Sequence, residues 1–182
     1  ARVRLAVMNL LAAEVPGCDW LDLCSGSGVM ACEALQRGAR RVVAIEQNRR
    51  VAAVARANLE AVHQGIGAWL DLARGQAPLW EVHCQEVGRW LAGPVAELAG
   101  PEAEKVANRP NHFDLIYADP PYASGLYETI ANGIADGRWL KPGGTLVWEC
   151  ASNALPATPA GWKPKKMKRY GSTSLLLLKQ TE

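Results

Sequence analysis

The chain has 182 residues, 49% of them apolar and 21% charged, with a formal net charge of +2. That is enough material for one domain, residues 1–182, with a full core, and it excludes a uniformly basic nucleic-acid binder, so any basic surface has to be local. The sequence contains no signal peptide and no apolar run long enough to cross a bilayer, so a cytoplasmic, membrane-free monomer is expected. Cys18, Cys24, Cys32, Cys84 and Cys150 form no C-x-x-C pair and read as small residues of a reducing compartment. His63, His83 and His112 stand singly, without a ligand-spaced partner, so no metal is expected.

Residues 2–11 place Val3, Val7, Leu10 and Leu11 on one helical face, an N-terminal helix within 1–14 that Pro16-Gly17 ends. It begins with no capping residue before it. A first strand over 20–24 is followed by a helix over 29–37, a second strand over 41–45 and a helix from Asn48, a plausible N-cap, to Val62. This βαβα rhythm implies a parallel sheet with right-handed crossovers. Between 63 and 79 glycines weaken the pattern, and a broken loop is expected there. A third strand over 79–84 and a short helix over 87–91 follow, then an Ala-, Glu- and Pro-rich surface helix within 93–112. A fourth strand over 113–118, a helix over 126–136, a tight turn at 141–144 and a fifth strand over 145–150 continue the alternation. The end departs from it: Gly171 joins two strands into a hairpin over 163–178.

Two loops carry chemistry. Asp119-Pro120-Pro121-Tyr122 stops the fourth strand abruptly, because two prolines remove two ladder donors and fix the backbone. It offers a carboxylate, the Pro120 carbonyl and an aromatic face to a flat, amino-bearing ring, at the sheet edge where open α/β folds bind ligands. Alone, the same run is equally well a strand stop with a surface Asp. Gly26-Ser27-Gly28, between strand and helix, lets a ligand approach the backbone, and Glu46 ends the next strand where a carboxylate can take ribose hydroxyls. These features suit either a nicotinamide or an S-adenosylmethionine (AdoMet) enzyme. Asp22 separates the two, since a carboxylate before the turn repels a pyrophosphate but holds an ammonium.

With both loops in place the chain resembles the AdoMet-dependent amino methyltransferases and, more narrowly, the bacterial guanine N2-methyltransferases of small-subunit ribosomal RNA. The matching pieces are residues 2–9, Asp22-Leu-Cys-Ser-Gly-Ser-Gly28, residues 33–39, Glu46, Asn58-Leu59, residues 113–122, Glu149 and Tyr170-Gly171. Cys24 and Ser25 stand where the family usually carries an aromatic and a small residue. The family's basic segment ahead of the first helix is not in this sequence, and weaker RNA binding is expected for that reason.

The resemblance implies an α/β, class I AdoMet-dependent methyltransferase fold, Rossmann-like, with a mostly parallel seven-stranded sheet in the order 3-2-1-4-5-7-6 and an antiparallel hairpin at its end. It implies AdoMet as cofactor and ribosomal RNA, within a small-subunit particle, as partner. Asp119, Pro120, Pro121 and Tyr122 would orient the guanine amine, with no perturbed pKa needed at Asp119. Asp22, Cys24, Ser25, Gly26 and Gly28 would hold the methionine end of the cofactor, Glu46 and Gln47 the ribose, and Gln85 or Glu86 the adenine. Arg2, Arg4, Lys165, Lys166, Lys168 and Arg169 would meet RNA, although charge runs are often solvated faces and strand alternation divides the hairpin residues between two sides. Asn9 would link the first helix to the loop. A DNA adenine or cytosine methyltransferase shares the loop chemistry but generally needs an added target-recognition region, and no segment here is large enough. A non-catalytic RNA-binding module with the same fold would not need Asp22, Glu46 and the whole Asp119 loop.

Overall fold

The computed structural model describes residues 2–73, 75–96, 113–121 and 125–182, with side chains at 69–73 and 94–96 excepted. Seven strands form one sheet in the order β3-β2-β1-β4-β5-β7-β6. They are β1 (Asp19–Leu23), β2 (Arg41–Ile45), β3 (Leu79–His83), β4 (Phe113–Ala118), β5 (Leu140–Ala151), β6 (Trp162–Tyr170) and β7 (Thr173–Gln180). The first five pair in parallel, and β7 runs antiparallel to both β5 and β6. The expected order and terminal hairpin are both present.

Central strands β1 and β4 are buried almost throughout, as parallel strands covered on both faces must be. Their alternating side chains feed two apolar layers. One joins Leu21, Val43, Ile116 and Trp148 to α4 (Val87–Ala96) and α5 (Leu126–Gly137). The other joins Trp20, Ala44, Tyr117 and Val147 to α1 (Arg2–Leu10), α2 (Val29–Gln36) and α3 (Arg49–Ala73). Each large aliphatic side chain sealed in these layers contributes roughly 1.5–3 kcal/mol.

Two expectations fail, for physical reasons. The helix expected to end at Val62 runs on to Ala73, through the region read as a loop. Gly65 and Gly67 each cost a helix about 1 kcal/mol, but Val62 and Ile66 pack beside Trp80 and Val82 of β3 in the apolar layer. His63 Nε2 lies 3.1 Å from the Pro78 carbonyl, tying the helix to the entry of β3. Tertiary burial therefore overrides the glycines. The turn expected at 141–144 is instead a bulge inside β5: Phe113 pairs with Leu140 and Leu115 with Thr145, so two steps on β4 face five on β5. The Phe113 N–H donates to the Trp139 carbonyl at 2.8 Å, holding the strand in the sheet before the excursion. The surface helix expected within 93–112 lies outside the described residues from 97 onward.

Candidate active site

Strand register sets out the site. Ala44, Asp22, Tyr117 and Val147 are neighbours across β2, β1, β4 and β5. Side chains repeat every second residue, so Glu46, Asp119 and Glu149 follow Ala44, Tyr117 and Val147 one step nearer the carboxyl edge. Four adjacent strands thus deliver Glu46, Asp22, Asp119 and Glu149 to one stretch of that edge, beside a cavity of about 630 Å³. Cys24, Ser25, Gly26, Glu46, Gln47, Gln85 and Glu86 line it from one side, and Asp119, Pro120, Pro121 and Glu149 from the other. Asp22, 1% exposed, and Gly28 are not among the lining residues. Tyr122 lies outside the described residues.

The glycine loop is locked from several directions. The Ser25 N–H donates to the Ile45 carbonyl at 2.9 Å, and the Gly26 N–H donates to Glu46 Oε1 at 3.2 Å. The second carboxylate oxygen of Glu46 accepts the Asn48 N–H at 2.6 Å. Asn48 Oδ1 caps α3, accepting the N–H groups of Arg50 and Val51 at 3.0 and 3.1 Å, as its sequence position suggests. Asn58 donates to the Ser27 carbonyl at 2.9 Å. Gly28 has φ +79, and a Cβ there would stand 3.2 Å from Ala55 Cβ; the position needs glycine for conformation and for the α2–α3 approach. Gly26 has φ +57 with open space where a Cβ would project, the kind of surface a ligand can approach closely.

The electrostatics are one-sided. Asp22 is 1% exposed and its Oδ2 has no hydrogen-bond partner. Burial pushes its carboxyl well above the ordinary range; the Ala31 backbone N–H opposes the shift, and the charges of Asp119, Glu149 and Glu46 reinforce it. Asp119 is exposed at the cavity mouth, yet the concave walls and then the Glu149 carboxylate push it up to about 6, a perturbation the sequence reading did not require. Glu149 accepts a hydrogen bond from the Tyr117 hydroxyl, and its backbone carbonyl accepts one from Tyr127 at 2.8 Å. Burial, followed by Asp22, raises the Cys24 thiol to about 12, so Cys24 stays neutral. Among the described residues no Lys, Arg or His lines the cavity. Such a site fits a ligand that brings its own positive charge, and the unpartnered Asp22 oxygen fits the ammonium end of AdoMet.

Other expected residues have different surroundings. Both carboxylate oxygens of Glu86 cap α4, accepting the Gly88 and Arg89 N–H groups at 2.8 and 2.9 Å, whereas Gln85 is exposed beside the cavity. Arg4 pairs with Glu33 at 3.4 Å and ties α1 to α2; Arg2 is exposed. Asn9 makes no side-chain hydrogen bond to the loop among the described residues, so the expected link is absent. Lys163 to Arg169 are all exposed on edge strand β6, so alternation divides them between faces without burying any. Sequence reasoning does not place Glu149 or Tyr117 in the site. For Glu149 the signal the sequence offers is its place among the residues that carry the family resemblance; nothing in the sequence pairs it with Tyr117.

A seven-stranded sheet in this order, with its antiparallel strand and a glycine loop after β1, defines the class I methyltransferase fold. A protein from Haemophilus influenzae described as a putative methylase superposes with a TM-score of 0.68 at 26% identity, over 100% of this chain and 98% of that one. Magnesium protoporphyrin IX methyltransferase from Synechocystis, solved with bound SAM, shares the fold at a TM-score of 0.62 and 14% identity, over 99% and 79% of the two chains. The chain belongs to the family described as conserved hypothetical protein 95, whose model matches residues 1–88 and 92–179. Relatives in Haemophilus influenzae and Escherichia coli are both named ribosomal RNA small subunit methyltransferase D. The first is 29% identical over 176 residues, covering 97% of this chain and 79% of the relative. The second is 26% identical over 177 residues, covering 97% and 75%.

Proposed function

We propose that the chain transfers a methyl group from AdoMet to the exocyclic N2 amine of a guanine in small-subunit ribosomal RNA. The observation that carries this reading is the uncompensated carboxylate row at the carboxyl edge, in which Asp22 keeps a buried oxygen without a partner one strand away from the rigid Asp119-Pro120-Pro121 loop. When bound, AdoMet supplies a methyl group on a sulfonium, which needs no further activation.

The residues divide the work by strand. Asp22, with the loop of Cys24, Ser25, Gly26 and Gly28, would hold the methionine end; Glu46 and Gln47 would hold the ribose. Gln85 would reach the adenine more freely than Glu86, whose oxygens already cap α4. On the other side of the cavity the guanine amine is a poor nucleophile, because its lone pair is delocalised into the ring. Hydrogen bonds donated by that amine to the Asp119 carboxylate and the Pro120 carbonyl favour the pyramidal form and aim the lone pair at the cofactor side. Tyr122 would stack on the base and fix its plane. Orientation of this kind can supply roughly 7–11 kcal/mol. An ionised Asp119 is the better acceptor, and it can take the proton that the amine sheds.

RNA as the substrate is supported by the names of the relatives and by strand β6, which presents Lys163, Lys165, Lys166, Lys168 and Arg169 exposed in one run. The β6–β7 turn sets the Arg169 end of that run nearest the cavity, since Tyr170 pairs with Thr173, which helps to line it. Phosphate contacts from such a strand position an RNA without reading its sequence.

The test is transfer of labelled methyl from AdoMet to small ribosomal subunits from cells lacking the endogenous activity, followed by nucleoside analysis. Label in N2-methylguanosine is the expected result. Label in another methylated nucleoside, or none, overturns the guanine assignment.

A further inference from the structure

Glu149 stands outside the roles given to Asp22, Glu46 and Asp119, yet it is held more firmly than a solvated carboxylate would be. The Tyr117 hydroxyl donates to Oε2 and the Tyr127 hydroxyl to the main-chain carbonyl. Burial and then the Glu149 charge push the Tyr117 phenol upward, so it remains a donor at every working pH. The other carboxylate oxygen, Oε1, has no partner among the described residues, and Glu149 lines the cavity. Its place in the row matters as well. Ala118 pairs with Trp148, so the next residues, Asp119 and Glu149, are neighbours across strands about 4.8 Å apart. Glu149 lies beyond Asp119 from the glycine loop, on the side of the methyl acceptor.

We propose that Glu149 selects the base: Oε1 accepts the ring N1–H of the guanine whose N2 amine is held by Asp119 and the Pro120 carbonyl. The inference rests on the reading of the site as a guanine N2-methyltransferase. Of the three bases that carry an exocyclic amine, only guanine places a ring N–H beside it; adenine and cytosine place a lone pair there. Two adjacent fixed acceptors therefore complement guanine and repel the others, and a site built to take a donor rejects an analogue lacking it far more strongly than shape alone would. Tyr117 positions the carboxylate; Glu149 touches the base.

The probe is 2-aminopurine riboside, which keeps the 2-amine but has a lone pair at N1. It replaces guanosine at the labelled position in the RNA fragment to which N2-methylguanosine maps, and kcat/KM is compared for the two RNAs. The wild-type protein is expected to prefer guanine on the order of 100-fold or more. In Glu149→Gln the Tyr117 hydroxyl still satisfies the amide oxygen and an NH₂ group then faces N1, so the preference collapses or inverts while AdoMet affinity stays near wild type. Tyr117→Phe, which keeps the ring and its packing but removes the hydroxyl that donates to Glu149, is expected to erode the preference partly, and it carries the test if the Gln variant does not fold. Equal methylation of both RNAs by the wild type, or a full guanine preference retained by the variants, overturns the role of Glu149 and leaves the reading of the reaction standing. Methylation of neither RNA by the wild type overturns that reading and the inference with it.

Discussion

The two edges of the parallel sheet treat carboxylates in opposite ways. At the amino edge Asp19, 2% exposed, binds Arg40 at 2.6 Å and Lys141 at 3.1 Å through Oδ2. Asp114 Oδ2 accepts the Asp19 N–H at 2.7 Å and Lys141 at 3.0 Å. Those charges are neutralised by the chain itself and join β1, β4 and β5. At the carboxyl edge the same strands, with β2, bring Asp22, Asp119, Glu149 and Glu46 together, and no cationic side chain lines the cavity among the described residues. A fold that paired every buried charge would not leave Asp22 in this state, because an unpartnered buried carboxylate costs free energy. The charges of one edge are paired within the chain, and those of the other face a cavity with no cation among its described lining residues.

The largest expected effect breaks the carboxyl edge at its reactive end. Asp119→Ala should lower methyl transfer by about 10²–10³-fold or more while AdoMet affinity changes little; equal loss of both would move Asp119 to the cofactor. Glu46→Ala should reverse the pattern and lose AdoMet affinity first, as titration calorimetry would reveal. Asp22→Asn sharpens the contrast. It replaces a carboxyl that burial pushes toward its neutral form with a neutral amide of the same shape, so thermal stability without cofactor should rise or hold, while AdoMet binding weakens about 10–100-fold, the worth of one charge-assisted hydrogen bond. A destabilised apo variant with unchanged affinity would make Asp22 a structural residue.

At the amino edge the expected signs are opposite. Lys141→Met deprives a buried carboxylate of one of its two cations and should destabilise the fold by about 1–2 kcal/mol in a denaturant titration. AdoMet affinity should not move. A stabilised variant would mean that the network costs more in desolvation than it returns.

The sequence already distinguished the edges unevenly. Asp22, Glu46 and Asp119 were legible because each sits at a change of pattern: a strand before a glycine loop, a strand before a helix, a strand before two prolines. Glu149 was legible only as one of the pieces that carry the family resemblance, since it lies inside a long apolar strand whose end is set by pairing with β7 rather than by any punctuation. The parallel pairing followed from the βα rhythm, and the sheet order from what the family resemblance implies. The extension of α3 past Gly65 was hidden because its reason, the packing of Val62 and Ile66 near β3, is tertiary. The capping role of Glu86 was hidden for a simpler reason: the same carboxylate after a strand reads equally as a ligand or a helix cap. The amino-edge network joins residues 95 and 122 positions apart, beyond the reach of any local pattern.

The smallest expected effect is a pH dependence that again has opposite signs at the two edges. Asp119 titrates near 6 in the folded protein against an ordinary value of 3.8. Its folded form therefore holds the proton more tightly than the unfolded chain does, and the fold loses stability as pH rises from about 4 to about 6, after which the loss is complete. Asp22 is shifted in the same direction, and Glu46 and Glu149 face the same group, so the informative quantity is the difference between wild type and Asp119→Asn. The variant should show a shallower fall in apo melting temperature across that window; identical slopes would return Asp119 to the ordinary carboxylates. Lys141 behaves otherwise: burial pulls its pKa down, but hydrogen bonds to Asp114 and Asp19 outweigh that and leave it raised. Its stabilisation is complete below 10.5 and disappears only as pH climbs through the higher folded value. Between pH 4 and 6, then, the shallower fall of Asp119→Asn relative to its parent should persist in a Lys141→Met background even though the whole curve is lowered, a separation that fails if the two edges are electrostatically coupled through the sheet.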